Sequence, residues 1–197
     1  MKVGYLNIRR NFYKKADVIE KILLDGDYAL FGLSEIDLDI FKEPPTLDNY
    51  ECLIKQSSAF WKRICVYIRK DITYKTINYS DSSIPCMVVH TGDTTFGFVY
   101  SEFTKEAYTN NKERLSENNR VNILLDFLRW FGCIAGKKAV LLGDMNVDWS
   151  ANTISKKKIC NWAKDDHFKQ IQRKVTRSFT LANGHNSNTC LDHIYVR

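Results

Sequence analysis

Short apolar runs that close on a polar residue recur along the chain and predict a series of buried strands. Ala-Val-Leu-Leu at 139–142, for example, is followed at once by Gly143-Asp144-Met145-Asn146, the pattern of a strand that ends in a turn. Four runs carry polar side chains in this way: residues 2–8 with Asn7, 28–36 with Glu35, 139–146 with Asp144 and Asn146, and 190–196 with Asp192. These polar residues are the first candidates for a site, although Asp and Asn are also ordinary turn residues.

Other stretches predict further strands and two loops. Arg63–Arg69 alternates strictly, which predicts a half-buried strand with Ile64, Val66 and Ile68 on its inner face. The remaining predictions are a strand pair at 87–90 and 96–100, and loops at 36–50 and 178–188.

Helical periodicity marks three stretches between the strands. The predicted helices are Lys14–Leu24 with Gly26 as its stop, a long helix from Ser116 to Gly132, and a third helix capped by Ser155. In the first of them, the predicted inner face consists of Val18, Ile19, Ile22 and Leu23. Strands with helices between them, many in antiparallel pairs, favour an α/β or α+β sandwich.

Length and composition indicate one globular domain over residues 1–197. A chain of 197 residues is enough for one sizeable core. Its 44% apolar and 13% aromatic content excludes a disordered chain. No apolar run approaches the roughly 18 residues that a membrane helix needs, so we expect no membrane partner.

The net charge of +6 is concentrated in one segment. Residues 153–177 carry eight basic residues against Asp165 and Asp166, and the rest of the chain is neutral overall. A basic cluster favours a polyanionic partner such as nucleic acid. The alternative is a solvated helix face, in which Ile159 and Trp162 belong to the core.

Six cysteines are scattered without a Cys-x-x-Cys pair. Several lie in apolar stretches, as Cys65 does, which favours buried free thiols in a reducing compartment. A zinc site is the alternative, although its spacing matches no familiar zinc motif. Its ligands would come from Cys160, His167, His185, Cys190 and His193.

The order of the polar motifs resembles the endonuclease/exonuclease/phosphatase superfamily, whose strands bring Asn, Glu, Asp-x-Asn and Asp in this sequence order. Within that superfamily the closer resemblance is to the apurinic-endonuclease-like domain of non-long-terminal-repeat retrotransposons. Three segments carry that similarity: Asn7-Ile8-Arg9, Tyr67-Ile68-Arg69 and Leu191-Asp192-His193-Ile194. The resemblance runs from Lys2 to Arg197 and implies a four-layered α/β/β/α sandwich, in which two packed mixed sheets have helices outside.

The resemblance also implies a phosphodiester hydrolase that uses Mg²⁺, with Mn²⁺ as a substitute. Glu35 would bind the metal, since Mg²⁺ prefers oxygen ligands, and Asn7 would complete the metal shell and hydrogen-bond Asp144. Asp144 would orient or deprotonate the attacking water, Asn146 would donate to the phosphate, and Tyr100 would contact phosphate or leaving group. The structural alternatives are a strand-end acid for Glu35, a satisfied buried amide for Asn7 and a core aromatic for Tyr100.

DNA is the partner that the resemblance implies. Arg9 stands where apurinic endonucleases proper carry an acid, and retrotransposon-type members often have arginine there. We expect Arg9 and Arg177 to contact DNA phosphates. The parent protein would carry a reverse transcriptase downstream and act as a monomer in the nucleus, with Lys156-Lys157-Lys158 as the candidate import signal.

The family's catalytic histidine lies in a Ser-Asp-His motif beyond the position of Arg197. Asp192 and His193 are neighbours in a strand and face opposite ways, so only one of them can face the site. Asp192 is the counterpart of the acid that pairs with the family's histidine, and it is therefore a candidate site residue. We expect a domain truncated at its C-terminus, with an exposed sheet edge and weak or absent activity.

Three functions are therefore open. The first is a Mg²⁺-dependent DNA endonuclease that nicks target DNA and leaves a 3′-hydroxyl for retroelement integration. The second is a phosphatase or RNA nuclease of the same superfamily. The third is a non-catalytic nucleic-acid-binding remnant, which the retained Glu35, Asp144 and Asn146 disfavour.

Overall fold

The computed structural model describes residues 1–56, 61–81, 83–102, 116–172, 174–180 and 186–197. Within them the chain forms twelve strands and three α-helices. The strands are β1 (Val3–Asn7), β2 (Leu30–Asp39), β3 (Tyr50–Gln56), β4 (Trp61–Arg69), β5 (Lys75–Ile77), β6 (Cys86–Thr91), β7 (Thr94–Tyr100), β8 (Lys138–Asp144), β9 (Lys169–Gln170), β10 (Arg177–Thr180), β11 (Asn186–Thr189) and β12 (Asp192–Val196). The helices are α1 (Ala16–Gly26), α2 (Glu117–Ile134) and α3 (Ile154–Asp165).

The strands form two large mixed sheets. Sheet 1 has the order β1-β2-β4-β3, and sheet 2 has the order β5-β6-β7-β8-β12-β9. β1 runs parallel to β2, and β7 runs parallel to β8. A parallel pair needs a crossover connection, which α1 and α2 provide. β10 and β11 pair separately.

Three apolar clusters hold the layers together. α1 covers the outer face of sheet 1 through Ile19 and Leu23, and α2 and α3 cover the outer face of sheet 2. The cluster between the two sheets includes Leu30, Val66, Val89, Phe98 and Leu142. The predicted four-layered α/β/β/α sandwich is confirmed.

The first helix differs from the prediction at both ends. α1 begins at Ala16, after a short 3-10 turn at Tyr13–Lys15. Gly26 is its last residue, and Asp27 takes the left-handed conformation that closes it, with φ 47°. Val18, predicted to face inward, is 60% exposed.

A side-chain hydroxyl caps the N-terminus of both α2 and α3. Ser116 caps α2, and its hydroxyl accepts the backbone N–H of Asn119 at 3.2 Å. α3 is capped by Thr153, which accepts the N–H of Lys156 at 3.1 Å. The prediction of Ser155 as the cap was wrong, because that residue lies inside the first turn of α3 and is buried.

β4 is buried on both faces, not half-buried as predicted. Cys65 and Tyr67 are 0% and 1% exposed, like Ile64 and Val66 on the opposite face. Both belong to the cluster beneath α1, so the polar side of the alternating pattern faces a covering helix instead of solvent. Arg63 is 7% exposed and lies on that same side.

Both predicted loops contain strand. β2 runs on to Asp39, and β10 and β11 occupy the ends of the 178–188 stretch. Residues 181–185 lie outside the described part of the chain. The strand pair and the final strand were predicted correctly in kind, as β6, β7 and β12.

The basic segment has an apolar inner face. Ile159 and Trp162 of α3 are buried in the cluster between α3 and sheet 2, while Lys157 and Lys164 are exposed. This agrees with the alternative of a solvated helix face whose apolar residues belong to the core. All six cysteines are free thiols. No described helix is both long enough and apolar enough to cross a bilayer.

Candidate active site

Three strands of sheet 2 bring Tyr100, Asp144 and Asp192 into one row. The strand register pairs Tyr100 of β7 with Asp144 of β8, and Asp144 with Asp192 of β12. Residues directly opposite in neighbouring strands lie on the same face of a sheet. The row therefore presents one phenol and two carboxyl groups to the same space.

Asn7, the last residue of β1, joins this row to sheet 1. Its Nδ2 donates to Asp144 Oδ2 and to Glu35 Oε1, both at 2.8 Å. The Tyr100 hydroxyl donates to the same oxygen of Glu35 at 3.2 Å. The side-chain Oδ1 of Asn7 accepts the backbone N–H of Arg9 at 2.9 Å. One amide therefore holds two carboxylates from different sheets together.

The backbone is strained where these groups are carried. The pairing of β2 with β4 shifts register between Ser34 and Leu38, and Glu35 lies in that bulge with φ 50°. Asp37 and Asn146 also have positive φ, at 44° and 51°. Such residues cost on the order of 1–3 kcal/mol each and concentrate at functional sites. A bulge re-aims a side chain, and here it turns Glu35 toward Asn7.

Asp144 is fully buried beside a second acid. Burial and the neighbouring Asp192 raise the pKa of Asp144 to about 7, against the opposing effects of Asn7 and Arg177. Arg177 Nη2 lies 3.3 Å from Asp144 Oδ2. Burial also raises the pKa of Asp192. A carboxyl group that titrates near neutrality suits proton transfer at physiological pH.

Asn146 is fixed by the end of β8 and the segment after β7. Its backbone N–H donates to Asp144 Oδ1 at 2.9 Å, and its Nδ2 donates to the Ser101 carbonyl at 2.6 Å. Among the described residues, the second hydrogen of Nδ2 has no hydrogen-bond acceptor. Its Oδ1 is buried and has no hydrogen-bond partner within the described chain.

Two supporting residues escaped the sequence analysis. The Tyr5 hydroxyl accepts the backbone N–H of Asp144 at 2.9 Å and donates to Ser34 Oγ at 2.6 Å. Thr176 Oγ1 accepts the N–H of Asp192 at 3.2 Å. Tyr5 lies two residues before Asn7 on β1, a spacing that signals a shared face. Thr176 reaches Asp192 only through the fold, and the sequence carries no signal for it.

Asp192 and His193 face opposite ways, as strand alternation predicts. His193 is 1% exposed, and its Nε2 lies 2.8 Å from the Val147 carbonyl. Burial lowers the pKa of His193 to about 4, so the ring is neutral at physiological pH. It packs against Trp149 and lies in the core, away from the carboxylates.

Two clefts flank the carboxylates. One, of about 350 Å³, is bordered by Asn7, Asp192 and the two predicted DNA contacts, Arg9 and Arg177. The other, of about 500 Å³, starts beside Glu35 at Ile36 and Asp37. Its lining includes the cations Arg10, Lys14 and Lys42 and the indole of Trp61.

The donor set fits a hard divalent cation better than a zinc site. Within the described residues no group of three His, Cys, Asp or Glu side chains forms a ready-made metal cage. Mg²⁺ needs only one or two carboxylates and keeps several waters. The described hydrogen bonds of the Glu35 carboxylate end on Oε1, and Asp192 Oδ1 is buried without a partner among the described residues. Oxygen ligands of this kind are the ones that Mg²⁺ prefers.

The raised pKa of Asp144 has a consequence for stability. Because the folded-state pKa of about 7 exceeds the ordinary 3.8, the metal-free folded protein binds more protons than the unfolded chain between those values. The contribution of Asp144 to the free energy of unfolding should therefore fall as pH rises from about 5 to 8, while buried neutral His193 acts in the opposite direction up to its ordinary pKa of 6.5. Urea denaturation of wild type and Asp144→Asn at pH 5.5, 6.5 and 7.5 in EDTA isolates the Asp144 contribution as the difference between the two proteins. A wild-type stability that does not fall relative to Asp144→Asn over that range would contradict the assignment.

Protein-family models and curated protein sequences give no match to this chain. Solved structures do match it. A 3′–5′ exonuclease (NExo) from Neisseria meningitidis has a TM-score of 0.69 and 16% identity, over 100% of this chain and 86% of that one. An AP endonuclease from Archaeoglobus fulgidus has a TM-score of 0.65 and 12% identity, again over 100% and 86%.

A third structure with the same architecture acts on a different kind of substrate. It is a mannosyl-6-phosphatase from Bacteroides thetaiotaomicron, with a TM-score of 0.60 and 15% identity over 98% of this chain and 84% of that one. At these identities the similarity establishes the architecture alone. The chain has the fold of the endonuclease/exonuclease/phosphatase proteins.

Proposed function

We propose that this chain is a Mg²⁺-dependent phosphodiester hydrolase that nicks DNA. The observation that carries the proposal is the Asn7 amide, which holds Glu35 and Asp144 at 2.8 Å each where the two sheets meet. Glu35 and Asp144 thus lie side by side, and Arg177 lies next to Asp144. This arrangement suits the hydrolysis of a phosphodiester, which depends on positioning and electrostatics.

Each side chain has a role that its surroundings support. Asp144, with its raised pKa, accepts the proton of the attacking water. Asn146 donates its remaining N–H to a phosphate oxygen, and Tyr100 orients Glu35. Glu35 and Asp192, whose charges interact, would hold Mg²⁺, which when bound neutralises charge on the phosphoryl group. Asn7, the metal ligand expected beside Glu35, instead uses both its Nδ2 and its Oδ1 in hydrogen bonds within the protein. Water adds to phosphorus as the P–O3′ bond breaks, which leaves a 5′-phosphate and a 3′ oxygen that takes a proton from solvent to become a 3′-hydroxyl.

The flanking clefts favour a polynucleotide over a small phosphate ester. Cationic side chains lie on both sides of the carboxylates, Arg9 and Arg177 in one cleft and Arg10 and Lys42 in the other. A strand that continues in both directions from the cleaved phosphate would meet both sets. The exposed lysines of α3 add positive charge on the same chain. A retroelement role is supported only by the three sequence segments at residues 7–9, 67–69 and 191–194.

A phosphatase of this superfamily is the second candidate. It is favoured by the similarity in fold to the mannosyl-6-phosphatase and by the presence of the same carboxylate pair that a phosphatase would need. The two candidates differ in substrate and share the metal chemistry. Substrate comparison therefore separates them.

The test is cleavage in Mg²⁺ and in EDTA of supercoiled plasmid, single-stranded RNA and a phosphorylated sugar. We expect slow nicking of the plasmid in Mg²⁺ and none in EDTA, and extension of the nick by a polymerase without prior phosphatase treatment. Phosphate release from the sugar without plasmid nicking would favour the phosphatase. Salt-dependent DNA binding without cleavage of any substrate would indicate a binding protein and overturn the proposal.

A further inference from the structure

Four charged side chains of alternating sign form a row of ion pairs next to the segment that carries Glu35. None of them was named as a candidate site residue in the sequence analysis. The row consists of Arg10, Asp37, Arg63 and Glu102. Arg63 Nε lies 2.8 Å from Glu102 Oε1, and its Nη2 lies 3.2 Å from Oε2. Its Nη1 binds Asp37, which also accepts Arg10 Nε at 2.6 Å.

This row is buried at its centre. The side chains of Arg63, Glu102 and Asp37 are 8%, 1% and 13% exposed. Burying three charges is costly unless the geometry is well matched, and a guanidinium that binds two carboxylates meets that condition. Hydrophobic residues would fill the same space without that cost, so the network calls for a reason beyond stability.

The position of the network supplies that reason. Asp37 follows Glu35 by two residues within the bulge of β2, and Glu102 follows Tyr100 by two residues after β7. Arg63 of β4 therefore joins the segments that carry Glu35 and Tyr100, which come from different sheets. The backbone N–H of Arg10 donates to the Glu35 carbonyl at 2.8 Å and braces the bulge from outside.

We propose that Arg63 is a positioning residue, which holds the strained Glu35 bulge against the end of β7 and so sets the Mg²⁺ affinity of the site. The inference rests on the proposed function. It assigns to Arg63 no contact with substrate or metal. Lysine cannot replace it, because a single ammonium group cannot match the planar fork that serves Glu102 and Asp37 together.

The test compares Arg63→Lys with Arg69→Lys. Arg69 lies on the same strand and also binds two carboxylates, Asp71 and Asp27, at the end remote from the site. For each protein we would measure Tm in EDTA, the Mg²⁺ concentration that gives half of the Mg²⁺-induced rise in Tm, and kcat and KM for plasmid nicking.

We expect Arg63→Lys to raise the half-saturating Mg²⁺ concentration by about 10-fold and to lower kcat with little change in KM. Arg69→Lys should change neither. Glu102→Gln, which keeps the shape of the side chain, should repeat the Arg63→Lys result and serves as the second variant if Arg63→Lys does not fold.

The result that overturns the inference is wild-type Mg²⁺ dependence in Arg63→Lys or Glu102→Gln, or a loss of activity that follows only the folded fraction. Failure of the proposed function looks different. In that case the wild-type protein itself shows neither a Mg²⁺-induced rise in Tm nor nicking, and the inference falls with it.

Discussion

Asp144→Asn should lower Mg²⁺-dependent plasmid nicking by at least about 10²-fold, the contribution typical of a general base. The asparagine side chain has nearly the same shape but cannot take a proton from water. The variant should still fold, because Asp144 is buried and its charged form is disfavoured by its surroundings. Glu35→Gln should have a similar effect through loss of the metal ligand, and excess Mg²⁺ should restore part of its activity.

The matched control is Asp126→Asn on the outer surface of α2, where the carboxylate is 64% exposed and binds only Arg129 among its described partners. It should nick at the wild-type rate. Initial rates on supercoiled plasmid, together with Tm values to verify folding, decide the outcome. Wild-type nicking by folded Asp144→Asn would remove Asp144 from the chemistry.

Gly143→Ala should be the most destabilising of the proposed changes, with a loss of about 3 kcal/mol in the free energy of unfolding. A Cβ at Gly143 would lie 2.1 Å from the backbone oxygen of Val99 in the neighbouring strand. A backbone atom inside a sheet cannot turn aside, so β7 and β8 would have to separate. Since this pairing places Tyr100 beside Asp144, nicking should fall as well.

Gly97→Ala is the matched control, because Gly97 lies in β7 of the same sheet. The atoms nearest to a Cβ there belong to side chains, Phe131 at 2.7 Å and Leu141 at 2.8 Å, which can shift further than a backbone atom paired in a sheet. We expect a loss of about 1 kcal/mol, near the lower end for added bulk in a core. Urea denaturation of both variants gives the comparison. Equal losses would show that strand separation at Gly143 costs nothing extra.

The alternation of side chains along a strand correctly predicted which faces the residues of β12 take. It placed Asp192 and His193 on opposite faces, and the structure turns one to the carboxylates and the other into the core. It failed for β4, where the alternating pattern predicted an exposed face. That face packs beneath α1, because the residues between the apolar positions include Cys65, which buries as readily as an aliphatic side chain, and Tyr67, whose ring is largely apolar.

Caps and loops were predicted less accurately, since several residues of suitable type stand close together. Thr153 and Ser155 both have a hydroxyl that can cap a helix, and the backbone path selects Thr153. The proline-containing stretch after Glu35 reads as a loop, yet β2 continues to Asp39 by pairing with β4. Pairing with a distant strand is a tertiary contact that local composition does not reveal.

The sequence by itself determined the layered α/β architecture, the strands and the order of their polar residues, because periodicity and turn chemistry are local properties of the chain. Only the tertiary structure decided what those residues become together. The Asn7 bridge, the raised pKa of Asp144, the support from Tyr5 and the Arg63 network each join strands far apart in sequence. Their energies depend on burial and on distances between groups, and both exist only once the two sheets have packed.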